Sequence, residues 1–198
     1  MSKRNNTAAN EATTEQIAHE LAREKFRTRY WKVLRSTIYA LIVTAAIAAL
    51  VATLILPVLQ IYGSSMTPTL EEKDIVLSLK SNNLKRGDII CFYYSNRILV
   101  KRVIGLPFEN VTIDSDGNIY IDDSTEPLDE PYISEKALGE CDLEFPIQVP
   151  ENSYFVVGDH RETSIDSRSS VVGFVTHDEI VGRIIFTVLP FAHFGRVK

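Results

Sequence analysis

The pattern of apolar and polar positions changes character twice along the chain. In the first 35 residues Ile17, Leu21 and Phe26 form an incomplete helical stripe among alternating charges. Thr13 and Gln16, three apart, predict a capping box opening that helix, with a polar tail before it. Residues 36 to 70 then carry no charge, and 37–59 are almost wholly apolar. As a helix, that stretch reaches about 34 Å at ~1.5 Å per residue, enough to cross a ~30 Å hydrocarbon core. Beyond residue 60 the apolar positions alternate in short runs separated by turn residues, which predicts strands. These are expected at 74–79, 88–94, 98–104, 110–113, 118–121, 154–157 and 180–188, with Asp116-Gly117 turning a hairpin. Segment 122–149, broken by Pro127, Pro131 and Pro146, reads as an insertion or long loop. The expected architecture is therefore mainly β: a β-rich domain on one N-terminal transmembrane helix. Residues 1–35 form a cytoplasmic basic tail and helix, 36–59 the span, and 60–198 the extracytoplasmic domain.

Charge sharpens this picture. The 198 residues carry a formal net charge of −5, which argues against a nucleic-acid binder, since neutralising phosphates needs a basic face. The excess is unevenly placed. Residues 1–35 hold eight Lys or Arg and four Glu, whereas 122–149 hold nine acids and only Lys136. Six of the eight basic residues fall within 23–35, directly before the span, so the N-terminus is expected inside the cell and the domain outside. A buried core helix would rarely be this long and apolar on every face. A cleaved secretory signal would place its small residues after the apolar stretch, but Ala45, Ala46, Ala48, Ala49 and Ala52 lie within it. A retained anchor in the cell membrane fits better, with the lipid bilayer as a partner. The helix before it lies either on the anionic inner leaflet or in solvent. The acidic segment either keeps the external face soluble or attracts basic substrates.

Three polar stretches stand out from the β pattern. Ile-Tyr-Gly-Ser-Ser-Met-Thr-Pro-Thr-Leu, residues 61–70, brings Gly63, Ser64, Ser65 and Met66 between the span and the first strand; small residues there allow close backbone approach, or serve only as linker. Val-Lys-Arg-Val-Ile-Gly-Leu-Pro, residues 100–107, sets Lys101 on one strand face with Leu99 and Val103, while Val100 and Arg102 face the other way. A lysine so placed either snorkels outward or works as a base. Gly-Asp-His-Arg-Glu-Thr-Ser-Ile-Asp-Ser-Arg, residues 158–168, is dense in hydrogen-bonding groups and follows an apolar strand. His160 beside Asp159 and Asp166 also admits a Ser/His/Asp triad with Ser65. His19, His177 and His193 have no clustered partners, so neither a metal site nor any cofactor is expected. Cys91 reads as a small buried hydrophobe, and a disulfide to Cys141 is left open by their spacing.

Together with Lys85-Arg86-Gly87-Asp88-Ile89-Ile90 and the closing Leu-Pro-Phe-Ala-His-Phe-Gly, these stretches resemble the type I signal peptidases, peptidase family S26, in that family's order. The family comprises membrane-anchored serine proteases with a Ser/Lys dyad, and a single anchor resembles its Gram-positive, bacterial branch. The resemblance implies that Ser65 is the nucleophile, Lys101 the general base and Ser164 the hydroxyl orienting it. It makes Asp159 and Arg161 structural, and Asp166 with Arg168 a salt-bridged pair. The Ser65 N–H is the implied oxyanion donor. Some members add a serine two positions earlier, where this chain has Gly63, which leaves a backbone amide or a water as second donor. Other departures are His160, where Asn is usual, and Phe108, where Gly often follows the proline. The implied substrates are secretory preproteins, cut after their signal peptides at small residues. The alternative is a catalytically silent paralogue acting as a protein-assembly, pilus-type partner. A lysine of ordinary pKa ~10.4 is neutral about once in a thousand near neutral pH, so such a base needs a depression of about 3 units, which apolar burial can supply.

Overall fold

The computed structural model describes residues 4–55 and 57–197. It comprises two compact units, Met1–Ala52 and Thr53–Lys198. The first is helix α1, Arg4–Ile55. No Gly or Pro interrupts 4–55, and Ala, Leu, Glu, Lys and Arg recur throughout, so nothing in propensity stops the helix. Thr13 consequently lies inside α1 rather than at its start, which corrects the expected tail and capping box. Within α1, Arg23–Leu50 is long and apolar enough to cross a membrane, with a mean hydropathy of 1.9 in its most apolar window. Leu41, Ile42, Val43, Ile47 and Leu50 are all exposed. A helix apolar all round and uncovered by protein is suited to lipid. The span ends earlier than the expected Leu59. α1 stops at Ile55, Pro57 cannot continue a helical ladder, and Val58–Gln60 is already a strand.

The second unit is built from β1 (Val58–Gln60), β2 (Ile75–Leu79), β3 (Ile89–Tyr94), β4 (Arg97–Gly105), β5 (Asn110–Ile113), β6 (Ile119–Ile121), β7 (Ile147–Gln148), β8 (Ser153–Val157), β9 (Val175–Thr176), β10 (Ile180–Leu189) and β11 (Gly195–Arg196). All seven expected strands are present within a residue or so of their predicted limits. The four unforeseen ones, β1, β7, β9 and β11, have only two or three residues each, too few for an alternation to register. One sheet runs β1-β2-β10-β3-β4-β8-β9, with β11 added on β10; a smaller sheet runs β6-β5-β7. Every pairing is antiparallel.

Alternation along β3, β4 and β8 feeds separate cores. Ile90, Phe92, Val103, Tyr154 and Val156 pack in one; Ile104, Val111, Ile119, Phe155 and Val157 in a second; Ile61, Met66, Leu70, Val76, Ile89 and Ile184 in a third. Gly105 is needed where β4 meets the second core, since a Cβ there would lie 2.8 Å from Val111 and 2.9 Å from Phe155. Segment 122–149, a long loop apart from β7, is not wholly solvated. Leu128, Leu138, Leu143, Phe145 and Ile147 pack against the second core, and Ile147 pairs with Val111. Phe108 sits at φ 71, a left-handed conformation that glycine adopts at least cost. Cys91 is buried and both cysteines are free thiols.

Candidate active site

Ser65 stands at the start of a tight turn. Thr67 N donates to Ser64 O at 3.0 Å and Leu70 N to Met66 O at 2.9 Å, while the apolar ends Met66 and Leu70 are sunk in the third core. Gly63, just before, takes φ 82, a conformation open to glycine. Ser65 itself is half-buried and lines a groove of about 680 Å³ with Ile61, Tyr62, Gly63, Met66 and residues 97–100 of β4. Those β4 residues pair with β3 on one side, whereas β8 joins β4 only from Arg102 onward.

Lys101 follows directly in the same strand. Its cross-strand partner is Ile90, and the neighbours expected on its face, Leu99 and Val103, pack in the same core as Ile90. The side chain is 3% exposed, and its Nζ donates to Ser164 Oγ at 2.9 Å. Burial lowers its pKa from 10.5 to about 8; Asp166 opposes that shift, Arg168 adds to it and Asp159 opposes it. An amine in this state can accept a proton near neutral pH and hand it on, which an exposed lysine cannot do efficiently.

The 158–168 stretch carries Ser164, the partner of the Lys101 amine. Its backbone meets the serine turn directly, for His160 N donates to Ser65 O at 3.1 Å. Gly158 is required by contact rather than conformation: a Cβ there would fall 2.1 Å from Ser164 Oγ and 2.6 Å from Ser65 O. Asp166 accepts from Gly158 N at 2.9 Å and pairs with Arg168 Nε at 2.8 Å, both carboxylate and guanidinium being buried. The His160 ring is hydrogen-bonded to Thr163 Oγ1 at 2.9 Å, so its contact with the Ser65 residue is made by backbone, not imidazole.

Sequence reasoning missed three members of this network. Arg102, on the strand face opposite Lys101, is 1% exposed and grips Asp159 with Nε at 2.8 Å and Nη2 at 2.7 Å. Thr69, four residues after Ser65, donates to the same carboxylate at 2.5 Å. Glu130, from the acidic segment, is a fully buried partner of Arg161 at 2.5 Å. Alternation alone could have flagged Arg102 as facing a second core; nothing in the linear sequence announces the other two. Among the described residues no group of three or more His, Cys, Asp or Glu side chains is arranged to hold a metal ion.

A family model described as signal peptidase, peptidase S26, matches residues 34–189. Signal peptidase I U of Bacillus subtilis (strain 168) is 35% identical, over 70% of this chain and 78% of its own length. Signal peptidase I T of the same strain is 34% identical, over 80% of this chain and 87% of its own. A crystal structure of a signal peptidase I from Enterococcus faecalis V583 is 31% identical with a TM-score of 0.39, covering 52% of this chain and 97% of that one. The chain belongs to the signal peptidase family S26. Within it, the matches define a type I enzyme, a serine endopeptidase.

Proposed function

We propose that this enzyme removes signal peptides from exported preproteins, with Ser65 as nucleophile and Lys101 as general base. The observation that carries the assignment is the buried Lys101 amine, of pKa about 8, held by Ser164 Oγ at 2.9 Å. Ser65 Oγ attacks the scissile carbonyl and its proton passes to Lys101 Nζ. Lys101 returns that proton to the departing amine of the mature chain, leaving the signal peptide as an ester on Ser65. The same amine then takes a proton from water, which attacks the ester; as the signal peptide leaves, Lys101 passes that proton to Ser65 Oγ, which restores both the hydroxyl and the neutral amine. Ser164 directs the amine, the part an aspartate plays for histidine in the serine triad. The Ser65 N–H serves the oxyanion. The substrate runs as an extended strand along residues 97–100 of β4, whose edge opposite β3 is unpaired before Arg102. It presents small residues to the turn at Gly63–Ser65. α1 anchors the enzyme with its basic end, rich in Arg and Lys over 23–35, in the cytoplasm and the β unit outside.

The test is processing of a preprotein by purified full-length enzyme in detergent. Wild type should cleave; Ser65→Ala and Lys101→Arg, whose guanidinium stays charged, should not, although both remain folded. Because only the neutral amine is a base, kcat/KM should climb with pH through about 8 and level off above it. Full activity in either variant, or a rate flat from pH 6 to 9, overturns the assignment.

A further inference from the structure

Building on the assignment of Lys101 and Ser164 to the reaction, we propose that Glu130 and Tyr132 of the acidic segment are positioning residues. They brace both elements that carry this pair without touching the reacting atoms. The other eight acids of 122–149 are exposed, as suits solubility, but Glu130 is buried. Burying a carboxylate is costly unless it is paired and hydrogen-bonded. Here it is both: Arg161 Nη1 donates to Oε2 at 3.1 Å, Arg161 Nη2 to Oε1 at 2.5 Å, and the Tyr132 hydroxyl to Oε1 at 2.8 Å.

Two routes lead inward from this point. Arg161, fixed by Glu130, donates Nε to Gly158 O at 3.1 Å, and Gly158 is the residue where a Cβ would fall 2.1 Å from Ser164 Oγ and 2.6 Å from Ser65 O. The Tyr132 ring lies 3.8 Å from the Arg102 guanidinium, a cation–π contact on the residue that follows Lys101 in β4. Glu130 and Tyr132 thus steady the loop that holds Ser164 and the strand that holds Lys101. Charge points the same way. The buried guanidinium groups of Arg102, Arg161 and Arg168 face the carboxylates of Asp159, Glu130 and Asp166 respectively, and of the three carboxylates only that of Glu130 comes from outside the 158–168 stretch. Neutralising it frees the Arg161 side chain to seek another acceptor, and with it the carbonyl of Gly158.

A role confined to holding the fold would reduce the amount of folded enzyme and leave each folded molecule equally active. Glu130→Gln, Glu130→Asp, Tyr132→Phe and Ser65→Ala are to be assayed as full-length proteins on a preprotein, with rates normalised to the folded fraction from thermal unfolding. Glu130→Gln and Tyr132→Phe should each lower kcat about threefold or more with KM within about twofold, and Glu130→Asp should recover part of the loss. A smaller fall in kcat, a loss carried by KM, or no recovery in Glu130→Asp overturns the proposal. Should Glu130→Gln fail to fold, Tyr132→Phe, which removes one hydroxyl and keeps the ring, decides alone. Residual cleavage by Ser65→Ala counts against the Ser65 assignment and leaves the brace to be judged by the other variants.

Discussion

Lys101 concentrates the chemistry of the site into one titration. A fall from 10.5 to about 8 leaves roughly a tenth of the amines neutral at pH 7, about 300-fold more than an exposed lysine offers. The same burial works against folding. Below about pH 8 the amine is charged in both folded and unfolded chains, and the folded state carries the full desolvation penalty. Between about 8 and 10.5 the unfolded chain binds more protons, so stability rises with pH across that window. Lys101→Met should therefore raise the unfolding free energy by about 1–3 kcal/mol at pH 7, and the gain should shrink towards pH 10.5. Thermal unfolding at several pH values measures it. Gly158 makes the complementary case, since it matters for the space it leaves empty. Gly158→Ala must push Ser164 or Ser65 aside, costing about 1–3 kcal/mol of stability. A displacement near 1 Å at the site should lower kcat about 100-fold, read by comparing kcat with the melting temperature.

At the scale of elements, the site depends on three pieces of chain meeting: the turn after β1, the first half of β4, and the stretch after β8. Asp159 joins all three, accepting from Thr69 in the turn and from Arg102 in β4. Asp159→Asn leaves Arg102 buried without the Asp159 charge, although Arg102 still donates to Gly87 O at 2.8 Å and to Thr69 Oγ1 at 3.2 Å and still meets the Tyr132 ring. The expected loss is about 3–5 kcal/mol, visible as an earlier transition in thermal or urea unfolding. The acidic segment belongs to the same assembly. Arg168 Nη1 donates to Leu138 O at 2.6 Å, and Asp142 accepts from Ser170 N at 2.6 Å, so the segment is fastened to the 158–170 region along its length. Its charge pattern described its outer surface correctly and concealed its inner one.

For the molecule as a whole, the two units have different solvents. The apolar part of α1 exposes Leu41, Ile42, Val43, Ile47 and Leu50, while the three cores of the β unit draw, among the described residues, on residues from Leu59 onward. A fragment of residues 57–198 should accordingly keep a cooperative thermal transition, whereas only the full chain should float with lipid vesicles in a density gradient. A fragment that melts without cooperativity would contradict the self-sufficiency of those cores.

Much of this was written in the linear sequence because it depends on neighbours along the chain. Period-two alternation located β2 to β6, β8 and β10, and an uncharged run announced the long apolar helix, since hydrophobic periodicity is a local property. Where that helix ends was less legible: Val58 and Leu59 are as apolar as the span, and only Pro57 and the pairing with β2 make them a strand. The stretches around Ser65, Lys101 and Ser164 were recognisable one by one from their residues and order. That Lys101 Nζ meets Ser164 Oγ across 63 positions, that Arg102 turns into a buried pair with Asp159, and that one of nine clustered acids goes inside, were decided by tertiary packing. The reason is physical: the cost of burying a charge, and the partner that offsets it, exist only once distant segments have displaced the water between them.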